Sequence, residues 1–553
     1  MVKDFVIDLF KLDTPGTADR TEARELPVEW LLERGARMIE PRFADQPALQ
    51  SELLGVVAQI MLDMHASQLA IEYASRYRSA VTMAAAAPDE RARAALLLAR
   101  ALAAAELGRE ARLVLREGLA LAPDAEIRAQ LRLALLDLHL NNPEPDELNA
   151  LLKALRADLS GTPAPLLHAL ADQAEARVMA QAGHLEAAIT LHARAIATAQ
   201  AVQGPGSRIA AQLQLRQAEA LAEAGRAAEA RRVSEQAVAA LRSLGGKDDI
   251  EAALSEATSV ARTGRLAWRH DEAAAVFAHS LAVIDRYGRR LPPQVRATVQ
   301  DQQACVQLQF GQAESAYALA LRSKRTMRGD QPYGHRNSCL GWAAMMAGDH
   351  AEAETEYQRY LGHLLPSHRC DAGCAARMYI GTAHNRLMHG RVAEARALLD
   401  DVPRLDARLN DKAPDIEARR WLRAARARIE LESGHLDAAL RLLHGLPDGR
   451  YLVNDSAALR AEAQCRSGSD GRALALAVLR ARVQAAAAVD HPNSPWLADL
   501  RARLGLCEAL AGRHESALVQ SRLAHQALAA QPRVSPAYRR VLRELDGQLG
   551  LRR

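Results

Sequence analysis

The chain has little lysine, few aromatic residues and no long apolar run. Lysine makes up only six of its 71 basic residues, and Phe, Trp and Tyr together account for 4% of 553 residues. The 67 acidic residues are interspersed with the arginines and the formal net charge is +4, so no polybasic stripe for nucleic acid is present. No run of about 18 apolar residues occurs. We therefore expect neither nucleic acid nor a membrane as a partner.

Cysteine is also scarce, and its distribution bears on the compartment. Six cysteines are scattered over the whole chain, which is not the dense spacing of a small disulfide-stapled domain. The N-terminal residues MVKDFVIDLFKLD place acidic residues within their apolar stretch, unlike a secretory signal. The sequence therefore predicts reduced thiols and a cytoplasmic location.

The motifs that carry catalysis are missing. HESAL at residues 514–518 lacks the second histidine of a zinc-protease helix, and no glycine-rich phosphate loop occurs. HRCDAGC brings His368, Cys370 and Cys374 together, but this CxxxC spacing has no matching second pair of ligands. We predict that the chain is not an enzyme and holds neither a metal nor another cofactor.

What the sequence does contain is internal repetition, most clearly over residues 214–241. Ala218 precedes Gly225 by seven residues, and Ala230 and Ala237 follow it by five and twelve. The glycine allows the positive φ that ends one helix, and the small residues let two helices approach closely. The pattern recurs around Gly183, Gly311, Gly348, Gly390, Gly434, Gly468 and Gly512, with weaker copies within residues 50–160 and 261–280. A single pair cannot bury its apolar face, so the pairs must stack.

This pattern resembles the tetratricopeptide repeat (TPR) family over roughly residues 50–530. The resemblance implies an all-α fold, a TPR-like α-solenoid superhelix of about 11–12 helix pairs. We expect an N-terminal connector over residues 1–48, the solenoid over residues 49–530, and a C-terminal capping helix over residues 531–553. Ser535 and Pro536 are the expected N-cap and first residue of that last helix.

The connector resembles the segment that joins the catalytic and repeat regions of bacterial serine/threonine protein kinases. The matching residues are Phe5, Leu9, Phe10, Pro15, Leu32, Arg34, Gly35, Ile39, Ala44, Asp45, Gln46 and Pro47. Asp45 is the expected N-cap of the next helix, with Pro47 in its first turn, and Pro41 departs from the family pattern. Similar connectors follow winged-helix DNA-binding domains.

The TPR resemblance also implies a groove lined by the first helix of each pair. Aromatic and arginine side chains are the usual anchors of protein recognition, and aromatic residues concentrate in the central repeats, between Tyr317 and Trp421, together with six histidines. The register places nine residues at groove positions there: Asp301, His335, Ser338, Trp342, Met345, Arg377, His384, Trp421 and Arg428. For Trp342 and Trp421, packing between helices is an equal alternative, and Tyr357 and Tyr360 are expected to pack.

These features favour a non-enzymatic scaffold or regulatory protein in bacterial signalling, one that binds a protein or peptide and could also self-associate. Two alternatives stay open. The chain could be the sensor portion of a serine/threonine kinase, or that of a transcriptional regulator, with the catalytic or DNA-binding domain missing from it.

Overall fold

The computed structural model of the chain describes residues 37–551, apart from residues 65, 106, 140–144, 247–248, 289–290, 292, 327–337, 364–371, 407–408, 410–415, 452–453 and 469–470. Several residues singled out in the sequence lie outside the described residues: Phe5, Leu9, Phe10, Pro15, Leu32, Arg34 and Gly35 of the connector, and His335, His368 and Cys370.

Helices that follow one another in pairs make up nearly all of the described chain. The first ten are α1 (Pro47–Asp63), α2 (Ser67–Met83), α3 (Pro88–Ala104), α4 (Gly108–Leu121), α5 (Ala125–His139), α6 (Pro145–Leu159), α7 (Pro165–Gln181), α8 (Leu185–Gln203), α9 (Arg208–Glu223) and α10 (Ala227–Gly245). They form five pairs, and three of these lie where the sequence shows only weak repeat copies.

The later helices continue the alternation. They are α11 (Ile250–Ala267), α12 (His270–Tyr287), α13 (Pro293–Gln309), α14 (Ala313–Thr326), α15 (Ser338–Met346), α16 (His350–His363), α17 (Ala372–Met388), α18 (Val392–Leu405), α19 (Ile416–Glu432), α20 (Leu436–Leu443), α21 (Ser456–Ser467), α22 (Arg472–Val489), α23 (Pro495–Leu510) and α24 (His514–Ala529). A 3₁₀ turn at Pro536–Arg539 and α25 (Arg540–Gln548) end the described chain. The described residues thus form twelve pairs, and the predicted all-α solenoid of helix pairs is confirmed.

The turn geometry explains why these residues form pairs. Seven of the repeat glycines have φ between 73° and 83°, a region that side chains with a Cβ rarely adopt. Ala218, Ala230 and Ala237 are fully buried where α9 meets α10, as the need for close helix approach predicts. At the start of α1, Pro47 is the first helical residue as expected, but the N-cap is Gln46, so the assignment of Asp45 as the N-cap is wrong.

The helices divide into two compact units. Unit 1 contains the residues up to Ala253 and Leu281–Arg296; unit 2 contains Leu254–Ser280 and, apart from Gly329–Pro332, the residues from Ala297 onward. The boundary therefore crosses α11, α12 and α13. The largest apolar core of unit 2 joins α15 to α19 with α23, α24, the 3₁₀ turn and α25. None of the described helices is both long and apolar enough to cross a bilayer.

A short β-ribbon is the one departure from helices and turns that the described residues show. Strand β1 (Arg450–Tyr451) pairs antiparallel with β2 (Asn454–Asp455) just before α21. The side chain of Asp455 then caps α21 by accepting a hydrogen bond from the backbone N–H of Ala458. Two residues per strand leave the fold class unchanged.

The expectation of reduced thiols is wrong for four cysteines. Cys305 is bonded to Cys339 and Cys465 to Cys507, with Cα atoms 5.4 Å and 5.6 Å apart. The paired residues are 34 and 42 positions apart in the sequence, which is about one repeat. Stacking places the first helices of successive pairs side by side, so cysteines one repeat apart come within bonding distance.

Candidate functional site

The first helices of the later pairs form one face of unit 2. Helices α15, α17, α19, α21 and α23 each contact the next of this series, and we call the surface they share the inner face. Trp342, His384 and Arg428 each precede their repeat's turn glycine by six residues. These three side chains therefore occupy equivalent positions on consecutive first helices, as the sequence register predicts.

Most of the predicted groove residues are buried in this structure. Trp342, His384 and Arg428 are only 8%, 1% and 5% exposed, and Met345 and Asp301 are also buried. The ring of Trp342 packs edge-on against Tyr357, with ring centres 6.0 Å apart. For Trp342 the packing alternative describes the structure, and the expected packing of Tyr357 and Tyr360 is confirmed.

The C-terminal end of the chain packs into the same core. Residues 531–548, which we call the C-terminal segment, contribute Tyr538, Val541, Leu542 and Leu545 to the same apolar core as Trp342. The phenol oxygen of Tyr538 accepts a hydrogen bond of 3.1 Å from Trp496 Nε1 on α23. The chain's own C-terminal segment thus packs against α23 of the inner face and shares its apolar core.

Two of the predicted residues remain accessible and come together. The guanidinium carbon of Arg377, on α17, lies 5.3 Å from the centre of the Trp421 ring on α19. Both side chains are half-buried. This distance is that of a cation–π contact. Ser338 is the first residue of α15, and its side chain is outside the description.

His384 is held neutral inside the inner face. Burial, reinforced by the nearby charge of Arg428, lowers the pKa of His384 to about 4. Its Nδ1 lies 3.0 Å from the carbonyl oxygen of Ile380 and its Nε2 3.1 Å from Asn454 Oδ1. A neutral imidazole donates only once, so Nδ1–H donates to Ile380 and Nε2 must accept. Exchange of the Asn454 amide atoms provides that donor and also satisfies its buried Nδ2.

Arg428, by contrast, stays charged within a buried ionic network. Its Nε donates to Glu432 Oε1 at 2.9 Å, and Arg540 of α25 lies 3.8 Å from the same carboxylate. Burial opposes ionisation of Glu432, but the charges of Arg428, Arg540 and Arg503 outweigh it and lower the pKa of that carboxyl. The network joins the inner face to the C-terminal segment through charge as well as apolar packing.

A second part of this network was not found by sequence reasoning. Glu462 on α21 pairs with Arg503 and, at 2.8 Å, with Arg466, and Arg466 also binds Glu544 of α25 at 2.6 Å. Glu462 precedes Gly468 by six residues, so continuing the same register would have identified it. Asn454 and Trp496 carry no such signal, because they lie outside the repeat pattern.

The described residues contain no group of three or more His, Cys, Asp or Glu side chains arranged to hold a metal ion. The arrangement provides buried ion pairs, one accessible Arg–Trp contact and a cavity beside Arg428. These groups offer charged and apolar side chains for contact.

No family model matches this chain. A comparison with curated protein sequences likewise gives no match. Among solved structures, the chain is similar to one in the crystal structure of the APC/C hetero-tetramer Cut9–Hcn1, with 12% identity, a TM-score of 0.30, and coverage of 92% of this chain and 99% of the other. It is also similar to yeast Tom70, with 12% identity, a TM-score of 0.37, and coverage of 87% and 95%. The fold assignment rests on the helix pairs themselves.

Proposed function

We propose that this chain is a non-enzymatic scaffold that binds a protein or peptide through the accessible part of its inner face. The observation that supports the proposal is the half-buried contact between Arg377 and Trp421. Stacked helix pairs offer a rigid platform, and arginine and tryptophan are the side chains most enriched at the energetic centres of interfaces. A guanidinium already stacked on an indole loses little conformational freedom when a partner binds.

The proposed setting is bacterial signalling. It rests on the connector resemblance, of which Ile39, Ala44, Asp45, Gln46 and Pro47 fall within the described residues.

We place the protein in the cytoplasm. Cytoplasmic reductants keep most thiols reduced, so this proposed location predicts that the two pairs bonded in the structure, Cys305–Cys339 and Cys465–Cys507, are reduced in protein alkylated directly in native cells. Blocked thiols in that measurement would contradict this location.

The test begins with the full chain as bait. A captured protein is identified, purified and titrated against the wild type and against the Arg377→Ala/Trp421→Ala double variant. Loss of an interface anchor commonly costs about 2 kcal/mol, so we expect roughly thirtyfold weaker binding. Arg513→Ala, at the exposed turn before α24, is the control and should bind as the wild type does. A folded double variant with unchanged affinity would exclude this site.

A further inference from the structure

Unit 2 contains a cavity of about 220 Å³. Its walls come from the starts of α21 and α23, the end of α22, Arg428 of α19 and Arg265 of α11. None of these residues belongs to the Arg377–Trp421 contact. This volume is below the range of about 300–1,000 Å³ that is usual for drug-sized ligands, so the cavity suits a smaller molecule.

The charged side chains of the cavity are four arginines and three aspartates. Each aspartate lies against one arginine, in the pairs Arg265–Asp490, Arg482–Asp455 and Arg503–Asp499. The fourth arginine, Arg428, is paired with Glu432, which does not line the cavity. Arg428 is therefore the one lining arginine whose carboxylate partner lies wholly outside the cavity wall.

Arg428 also has N–H groups that are available to donate hydrogen bonds to a ligand. It donates to Glu432 from Nε, and the structure shows no hydrogen bond from its terminal Nη1 or Nη2 to the described residues. The side chain is nevertheless more than nine-tenths buried. Terminal guanidinium nitrogens form a planar fork that matches the two oxygens of a carboxylate. A buried fork beside a cavity is thus a prepared site for such a group.

The rest of the wall is apolar. Leu459, Ala486, Val489 and Leu500 line the cavity together with the partly buried ring of Trp496. These groups hold no charge and favour contact with an apolar or aromatic body. The cavity therefore combines one cationic end with an apolar remainder.

We propose that this cavity binds a small organic acid, with its single carboxylate on the terminal nitrogens of Arg428 and its apolar body against Trp496 and Leu500. The two terminal nitrogens of Arg428 match the two oxygens of one carboxylate. The three aspartates of the wall oppose a dianion such as a phosphate monoester. A neutral ligand of the same shape would leave the Arg428 donors without a charged acceptor.

The test uses the full chain and three probe acids of this class: benzoate, phenylacetate and hexanoate. Binding of each acid is measured by calorimetry and compared with that of two reference compounds. Phenylacetamide has the shape of phenylacetate without its charge, and phenylphosphonate is a dianion at alkaline pH. At least one acid should bind at millimolar concentration or better. We expect phenylacetamide and phenylphosphonate to bind at least about tenfold more weakly than that acid, because a charge-assisted pair is lost or an opposed charge is added.

Two variants locate the site. Arg428→Gln removes the cationic fork and should weaken binding of the acid about tenfold or more. Ala485→Leu adds bulk at an exposed position of the lining on α22 without breaking an ion pair, and should also weaken binding. If Arg428→Gln does not fold, the Ala485→Leu variant by itself tests whether the acid binds in this cavity. Arg513→Ala, outside the cavity, is the matched control.

The proposal is overturned if none of the three acids binds, if phenylacetamide or phenylphosphonate binds as tightly as the acids, or if the folded Ala485→Leu variant binds normally. Because the scaffold test uses Arg377 and Trp421, failure of one proposal leaves the other unaffected.

Discussion

Arg428 and His384 are neighbouring buried side chains that unit 2 stabilises in opposite protonation states. Arg428 keeps its charge because Glu432 lies 2.9 Å from its Nε, and removing one partner of a buried pair is strongly destabilising. His384 stays neutral because the positive charge of Arg428 and the lack of solvent both oppose a second proton. The imidazole of His384 is tolerated in the core because both of its ring nitrogens have hydrogen-bond partners.

The neutral state of His384 predicts a dependence of stability on pH. Its pKa is lowered from 6.5 to about 4 in the folded chain, so between these values the unfolded state binds more protons. The stabilising contribution is complete above about pH 6.5 and is lost as the pH falls towards 4. The loss amounts to about 3 kcal/mol, at about 1.4 kcal/mol per pKa unit. The difference in the free energy of unfolding of unit 2 between pH 7 and pH 4.5, obtained with urea, measures this loss of stability.

Variants are needed to isolate the contribution of His384 to stability, because protonation of Asp499 changes the stability in the opposite direction. Burial raises the pKa of Asp499 to about 6, so its protonation favours the folded state as the pH falls. His384→Gln should therefore lose less stability than the wild type between the two pH values. His514→Gln, at an exposed position, should follow the wild type. Equal slopes for all three proteins would show that His384 does not control this range.

At the scale of elements, the turns between paired helices have two different surroundings. A Cβ added at Gly390 would meet nothing within 4 Å, whereas one at Gly348 would lie 2.6 Å from the carbonyl oxygen of Arg533. Next to this contact, the backbone N–H of Ser535 donates to the carbonyl of Met346 at 2.9 Å. Gln531 Nε2 likewise donates to the carbonyl of Gly311 at 2.9 Å. The turns at Gly348 and Gly311 therefore contact the C-terminal segment, whereas the turn at Gly390 does not meet a neighbour at its Cβ position.

This difference predicts unequal effects of the same substitution. Gly348 and Gly390 have φ of 83° and 82°, so alanine at either position costs roughly 1–2 kcal/mol from its backbone conformation. Gly348→Ala must also displace the backbone of Arg533, and should lower the unfolding midpoint further than Gly390→Ala does. Hydrogen exchange should then be faster over residues 531–548 in Gly348→Ala alone. Matching exchange in the two variants would refute the docking of the segment on this turn.

At the scale of the whole molecule, unit 2 completes its core with residues distant in sequence. Tyr538, Val541, Leu542 and Leu545 lie in the same core as Tyr357 and Trp342, about one third of the chain away. The ion pairs of Arg466 with Glu544 and of Arg540 with Glu432 join the same parts. The C-terminal segment is therefore part of the fold of unit 2 as well as the cap of its last repeat.

Removal of this segment should therefore expose the inner face. A chain ending at Gln531 loses five buried apolar side chains, Val534 among them, each worth about 1.5–3 kcal/mol, so unit 2 should be destabilised by roughly 7 kcal/mol or more. We expect a lower thermal midpoint and increased binding of an apolar fluorescent dye. A chain ending at Leu549, just after α25, is the control. An unchanged midpoint for the shorter chain would mean that the segment only rests on the surface.

The helix pairs could be predicted from the sequence because their signals are local. Gly225 with Ala218, Ala230 and Ala237 specifies a turn and two close helices within 20 residues, and neighbouring repeats supply the remaining contacts. The same register placed Arg377 and Trp421 on adjacent first helices, where the structure has them in contact. Periodicity thus determined the fold class and the face on which each side chain lies.

Only the tertiary structure decided what lies over that face. The C-terminal segment shares the core of Trp342 and the ionic network of Arg428, and the hydrogen bonds that hold it join residues 217 and 220 positions apart. The disulfides Cys305–Cys339 and Cys465–Cys507 arise in the same way from stacking. A repeat pattern describes each pair and its neighbour, but contacts between distant pairs depend on small rotations added over many repeats. Those rotations are set by packing, which no local period encodes.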